Sequence, residues 1–320
     1  HYNDKIYKII KYDKNYLTFD RVETSGLFRS VICRNNKIIV FSPPKAIDIG
    51  RFCNSYSPSD CRAEEFIEGT MINLFYDEDW EMATRSSVGG KIKFYCSKET
   101  ETFRKMFLDA CNANNLDFDQ LDKKICYSFV LQHPKNRIVV PFTKMNIYLV
   151  ACYLIDGYSI EVKSINSQKE RLSKSNILFP KKYSFTNFCE LQEKWASGNT
   201  DYKCVGVMLY HNLSGSRSKM RNPNYEYVRH LRGNQPKNQY RYLVLRNQGK
   251  VADYLHYYPE DKKSFSIYRN QVHDFTKQLH TNYIQCYVNK IKPLLEFPYQ
   301  YRSHMFYLHN NYINSLKENK

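Results

Sequence analysis

The sequence predicts an α+β fold, antiparallel sheets flanked by helices, followed by a smaller helical C-terminal unit. Three observations carry this. Short apolar runs separated by turn residues recur through the first part of the chain; two stretches among them space their apolar residues as helices do; and from about residue 250 a spacing of three and four takes over. We expect an α+β domain over residues 1–245 and a helical unit over 246–320.

Taken in order, residues 27–42, LFRSVICRNNKIIVFS, read as two strands around the turn RNNK, and PPK closes the hairpin. GTMINLFYDEDWEMATRSSVGGKIKFY gives a strand, the acidic turn DED, a second strand and a Gly-Gly break. In ETETFRKMFLDACNANNL, Phe103, Met106, Phe107 and Ala110 stand at helical spacing behind an acidic start, so a helix ends there at an Asn-rich turn. Residues 125–131 and 137–142 are expected as strands flanking QHPKN, and MNIYLVACYLIDGYSIEV as a hairpin through Asp156-Gly157. SINSQKERLSKSNILFPKK is polar and then broken by proline. YSFTNFCELQEKWASGN reads as a capped helix with a glycine stop, and KCVGVMLYH as a strand. YRNQVHDFTKQLHTNYIQCYVNKIKPLLEF opens the helical tail, and we find no internal repeat.

The formal net charge is +16, from 48 Lys+Arg against 32 Asp+Glu, and it comes with 28 tyrosines and 19 phenylalanines. Basic side chains neutralise phosphates and aromatic faces stack on unpaired bases, so this balance favours RNA or other single strands over duplex reading. A Lys/Asn/Tyr/Ile-rich codon bias is the bland alternative, but it does not account for the arginines of SGSRSKMRNPNYEYVRHLRG. The ten cysteines form no C-x-x-C pair, which argues against a zinc ribbon or a disulfide framework and for reduced, mostly buried thiols. No run of about 18 uncharged apolar residues occurs, and the opening HYNDKIYKII lacks a signal-peptide core. The expectation is a soluble, intracellular protein without membrane contact. His133, His211 and His230 match no ligand spacing and read as exposed loop histidines, so neither a metal site nor a cofactor is expected.

Several strings stand in a telling order. GLFRSVI and VFSPPK come first, then FIEGTMI, then YSFVLQHPKNRIVVPF, then VGVMLY and finally KMRNPNY. Over about residues 25 to 230 this order resembles the RNA-ligase branch of the covalent nucleotidyltransferases, the group that also contains DNA ligases and mRNA capping guanylyltransferases. The strings GLFRSVI, EGTMINLF and ATRSS are also similar to lysine-less, ligase-like proteins of large cytoplasmic DNA viruses. The resemblance implies a nucleotidyltransferase fold, ATP-grasp-like in its antiparallel sheets. It also implies a chemistry in which a lysine amine attacks a nucleotide α-phosphate while carboxylates hold a divalent metal. Aligned on Glu68-Gly69, Phe66 stands at the attacking lysine. Ser128 stands at the third-motif glutamate, and Val205 at the metal-associated glutamate of the fourth. A phenyl ring cannot form a phosphoramidate, so the expectation is a catalytically inactive chain, a pseudoenzyme that grips without joining.

What the resemblance leaves is a binding site. Glu68 replaces the family aspartate beside the sugar, Gly69 allows close backbone approach to a ligand, and Thr70 supplies a hydroxyl. Arg85, on the next strand, faces the phosphate or ribose; Phe142, or behind it Phe129, covers the base. Lys219 and Arg221, two residues apart on one strand face, meet the same phosphate chain. Blander roles stand beside these: Phe66 as core filler, Arg85 in a surface ion pair, Lys219 and Arg221 as a solvated face. Three functions follow. The first is RNA binding at the 5′ end, the methylated cap included, in viral message recognition or translation in a host cytoplasm. The second is a scaffold whose tail, YRSHMFYLHNNYINSLK, docks a protein partner through Met305, Leu308 and Tyr312. The third is an active RNA ligase with a non-standard nucleophile.

Overall fold

In the computed structural model, which describes residues 2–93, 101–235 and 237–318, the chain divides into two units, His1–Gly233 and Asn234–Lys320. The first unit begins with β1 (Lys8–Ile10), β2 (Val31–Arg34), β3 (Lys37–Phe41), α1 (Ile49–Ser55) and β4 (Cys61–Glu65). Next come β5 (Thr70–Asp77), β6 (Asp79–Thr84), β7 (Ser87–Val88), α2 (Phe103–Ala113) and β8 (Ile125–Gln132). β9 (Asn146–Asp156), β10 (Ser159–Lys163), α3 (Ile165–Arg171), β11 (Lys182–Tyr183) and α4 (Phe188–Trp195) follow, before β12 (Gly206–His211), β13 (Arg217–Arg221) and α5 (Pro223–Arg232). Among the described residues these strands form three antiparallel sheets, ordered β1-β2-β3, β10-β9-β8-β5-β6-β7 and β11-β4-β12-β13.

Turn chemistry sets the hairpins. Asn35 and Asn36 both have positive φ, 49° and 58°, the tight turn that matches strand twist between β2 and β3. Glu78 reverses the chain between β5 and β6 at φ 69°, and Asp77 beside it accepts from Arg34 at 2.6 Å. β8 is buried at every position because both faces of its sheet are covered. Tyr127, Phe129 and Leu131 pack under Phe103, Met106 and Phe107 of α2. On the opposite face Cys126 meets Ile32, Val40 and Phe41 of the three-stranded sheet. The third sheet has its own core, where Ala63, Val207, Leu209 and Met220 pack against Phe52 of α1 and Leu191 of α4. Residues 66–69 carry the chain from β4 in that sheet to β5 in the six-stranded one.

Several expectations need correction. Residues 137–142 are not a strand, because the N–H groups of Val139 and Val140 are taken by the carboxylate of Glu68. Arg85 lies on the turn after β6 rather than on the strand. The polar stretch after β10 contains α3, capped by Ser164 and anchored by the buried Leu172. α2 begins at Phe103, and residues 99 and 100 of the stretch read as that helix lie outside the described residues. Of the nine described cysteines four are buried, four half-buried and Cys189 exposed, so the thiols are less buried than expected. His133 is buried with its Nδ1 accepting from Lys135 N–H, His211 ends a strand stacked on Tyr56, and His230 sits on α5. None of the three is an exposed loop histidine.

The second unit contains α6 (Asn238–Asn247), α7 (Val251–Tyr257), α8 (Lys262–Tyr283) and α9 (Tyr299–Glu318). Tyr254 stacks on Phe265, and Tyr242 meets Phe265 edge-on, which joins α6 and α7 to α8. The Tyr254 hydroxyl donates to Asp261 at 2.5 Å and accepts from the buried Arg241 at 3.2 Å. Phe297, Tyr301 and Met305 pack on Phe275 and Tyr283, whereas Leu308 and Tyr312 point outward. Among the described residues no helix is long and apolar enough to cross a membrane.

Candidate functional site

The crossover at residues 66–69 lines a cleft of ≈ 290 Å³ within the first unit. That is the small end of the range for ligand pockets, about 300–1,000 Å³, with room for the phosphorylated end of a ligand and none for a duplex. Phe66 N–H donates to Gly206 O at 3.3 Å, so β4 stays paired with β12 for one residue beyond its end and the ring is held at the wall of the cleft. β13, the next strand, supplies the cations. Its alternation turns Met220 into the core and Ser218 onto Ile47 O, leaving Arg217, Lys219 and Arg221 on the cleft face. Lys219 Nζ lies 5.2 Å from the Phe66 ring centroid and Arg221 Cζ 5.5 Å, both within cation–π range.

Charge in the cleft is lopsided. Arg29, Arg217, Lys219, Arg221 and Arg229 all line it. Arg221 and Arg229 share Glu226, but no carboxylate pairs with Arg29, Arg217 or Lys219 among the described residues. The Nε of Arg217 is buried without a hydrogen-bond partner. Burial, and then Arg217, push the Arg29 guanidinium down to about 10. Burial acts still more on Lys219, with Arg29, Arg217, Arg221 and Lys45 adding repulsion, and the ammonium falls to about 6.

Glu68 lines the same cleft, yet its carboxylate is committed. Oε1 accepts from Val139 N–H at 2.8 Å and from Val140 N–H at 3.2 Å, and the Tyr225 hydroxyl donates to it as well. Burial raises its proton affinity, opposed by those N–H groups. Gly69 was expected to admit a ligand; what approaches it is β8. At φ 149° an added Cβ would sit 2.4 Å from Leu131 O and 2.7 Å from Val130 Cγ1. The Thr70 hydroxyl accepts from Asn136 at 2.8 Å and does not line the cleft. Neither does Arg85, which lies over Tyr12, nor the half-buried Phe142. Phe129 is fully buried against Phe107. So the structure brings together Phe66, Glu68, Gly69, Lys219 and Arg221, and leaves Thr70, Arg85 and Phe142 outside the lining.

Three lining cations, Arg29, Arg217 and Arg229, escaped the sequence reading. Arg217 was within reach of it, since residues two apart on a strand share a face with Lys219. No local signal marks Arg29. Ser128, at the third-motif position, is buried and donates to Asn73 Oδ1 at 2.8 Å, while Val205 lines the cleft as an apolar wall. With Glu68 committed, and no group of three His, Cys, Asp or Glu among the described residues, the side chains do not fit the divalent metal that the resemblance implies.

No family model matches the chain. Among solved structures it is similar to an archaeal ATP-dependent RNA ligase, at 8% identity and TM-score 0.44 over 78% of this chain and 62% of that one. An RNA ligase of Naegleria gruberi is similar at 12% identity and TM-score 0.43, over 66% and 68%. In sequence, 99 residues are 29% identical to an RNA ligase of Rhodothermus phage RM378, 29% of this chain and 23% of the phage protein. Over that stretch the chain is RNA-ligase-like. Over 241 residues it is also 23% identical to an immediate-early protein ICP-46 homolog of Invertebrate iridescent virus 3, covering 68% of this chain and 50% of the relative. The homolog of Invertebrate iridescent virus 6 is 24% identical over 263 residues, 73% and 55%. The chain thus spans about half the length of these iridescent-virus relatives and under a quarter of the phage ligase.

The likeness to the phage ligase overturns the expectation of an inactive chain. A matching relative is by name a ligase, an enzyme. Inactivity was inferred from Phe66 in the place of lysine, but that exchange does not empty the cleft of amines: Lys219 Nζ stands over the same ring.

Proposed function

We propose that the cleft binds a nucleoside 5′-polyphosphate, free or as the 5′ end of an RNA, for nucleotidyl transfer of the kind RNA ligases perform. One observation supports this above the others: Arg29, Arg217 and Lys219 are gathered, largely out of water, without a carboxylate partner among the described residues. Arg29 and Arg217 repel each other and hold Lys219 short of its proton, and a ligand of several negative charges turns that repulsion into attraction. A triphosphate has both the charge and the linear shape to lie along a strand face where cations recur about every 7 Å. The phage and iridescent-virus relatives favour a viral source, and with it RNA in a host cytoplasm as the setting. A methylated cap is the less favoured ligand. Its base is cationic, and the Phe66 ring already faces two cations.

The test is a binding comparison of one RNA carrying a 5′ triphosphate, a cap or a 5′ hydroxyl, over a salt series. The triphosphate form should bind tightest, and Arg217→Ala should flatten its log–log salt dependence by about 0.7, the slope of one phosphate contact on a single strand. Equal affinity for the 5′-hydroxyl RNA would overturn the reading.

A further inference from the structure

We propose that Lys219 Nζ is the nucleophile of this cleft, attacking the α-phosphorus of a bound nucleoside triphosphate and holding the nucleotide as a lysyl phosphoramidate. The inference rests on the nucleotide-binding reading above. The resemblance would put an attacking lysine on the crossover, at Phe66; the structure instead brings an amine to the same place from β13, 5.2 Å from the ring centroid. Of the cations that line the cleft, Arg29, Arg217, Arg221 and Arg229 are guanidiniums, so Lys219 alone can offer a nitrogen lone pair. It is not tied to a carboxylate among the described residues, and its nearest aromatic neighbour in the cleft wall is the ring of Phe66.

An amine attacks only when unprotonated. Burial, with Arg29, Arg217, Arg221 and Lys45 facing it, leaves Lys219 mostly neutral at pH 7 in the free cleft. Glu65 and Glu68 line the cleft as well, but Glu65 accepts from Lys181 N–H and Glu68 from Val139 and Val140 N–H, and neither forms an ion pair with Lys219 among the described residues. In the step, the Nζ lone pair forms the N–P bond as the bond from the α-phosphorus to the bridging oxygen breaks. The electron pair of that bond leaves on pyrophosphate, and one N–H proton passes to solvent. Arg217 and Arg221, on either side of Lys219 along β13, are placed to take the charge that develops on the leaving group.

The chain is incubated with ATP or GTP labelled at the α-phosphate, with and without magnesium chloride, then denatured, and the retained label is measured and mapped by mass spectrometry. In parallel, α,β-methylene ATP, whose bridge cannot release pyrophosphate, reports binding alone. The expected result is an acid-labile adduct on Lys219, lost about 100-fold or more in Lys219→Arg, which keeps the charge without an available amine. Labelling at limiting nucleotide should rise about tenfold per pH unit below about 6 and then level. At saturating nucleotide the midpoint should lie higher, because bound phosphates favour the ammonium. Binding of the methylene analogue with no label from either nucleotide, or label on another residue, overturns the assignment and leaves the binding reading standing. No binding of the analogue sinks both. The map of the unmutated chain decides the matter even if Lys219→Arg does not fold.

Discussion

Replacing Lys219 with methionine should stabilise the protein, by an amount that shrinks as pH rises. The unfolded chain presents an ordinary lysine that is protonated up to about 10.5, whereas the folded cleft holds the amine unprotonated down to about 6. Between those values the unfolded state binds the extra proton, so the folded state loses stability as pH falls from about 10.5 towards 6, and nothing further is lost below that. Each tenfold step in proton affinity is worth about 1.4 kcal/mol. Three and a half such steps separate 10.5 from pH 7, which puts the cost of neutralising this amine at about 5 kcal/mol at pH 7 and about 2 kcal/mol at pH 9. Methionine is similar in length and carries no charge, so it fills the space above Phe66 without that penalty. Urea unfolding of both proteins at a series of pH values reads the difference. It should narrow by about 1.4 kcal/mol per pH unit between about 7 and 9 and stay level below about 6. A gap that does not change with pH, or a variant less stable than its parent at pH 7, refutes the claim that the folded cleft holds a neutral amine.

Three further substitutions probe the packing, two around the cleft and one in the helical unit. Gly69→Ala should destabilise by about 2–4 kcal/mol through the clash with Leu131 O and Val130; an unchanged urea midpoint would show that the crossover relaxes freely. Glu68→Gln should cost about 1–3 kcal/mol, because an amide leaves one of the Val139, Val140 and Tyr225 donors unpaired. Hydrogen exchange at the two valine amides should quicken, and exchange as slow as before would mean another group holds them. In the helical unit, Tyr254→Phe removes the hydroxyl between Arg241 and Asp261 and should lower stability by about 1–3 kcal/mol, read from circular-dichroism melts of the full chain. An unaltered melt counts against that buried network.

Much of the fold was legible because its signals are local. Paired asparagines announced the β2–β3 turn, the capped helix read in YSFTNFCELQEKWASGN is α4 with Asn187 as its cap, and the three-and-four spacing after residue 250 is α8. α5 was readable too and went unread: Asn222 caps it, Pro223 opens it and Gly233 stops it. Residues 137–142 could not be read this way. Arg-Ile-Val-Val looks like a strand, but the partner that claims its backbone is Glu68, some 70 residues earlier in the chain. Gly69 misled for a similar reason, since a glycine that must admit something does not say whether that is a ligand or a neighbouring strand.

By itself the sequence determined the alternation of β13, and so the common face of Lys219 and Arg221, because strand periodicity is a property of the local backbone. It also determined the order of strings that make the chain RNA-ligase-like. That Lys219 rests over Phe66, and that Arg29 joins Arg217 beside it, came from the packing of the sheets. Proton affinity depends on burial and on distance through space, and residues far apart along the chain become neighbours only once the sheets have packed.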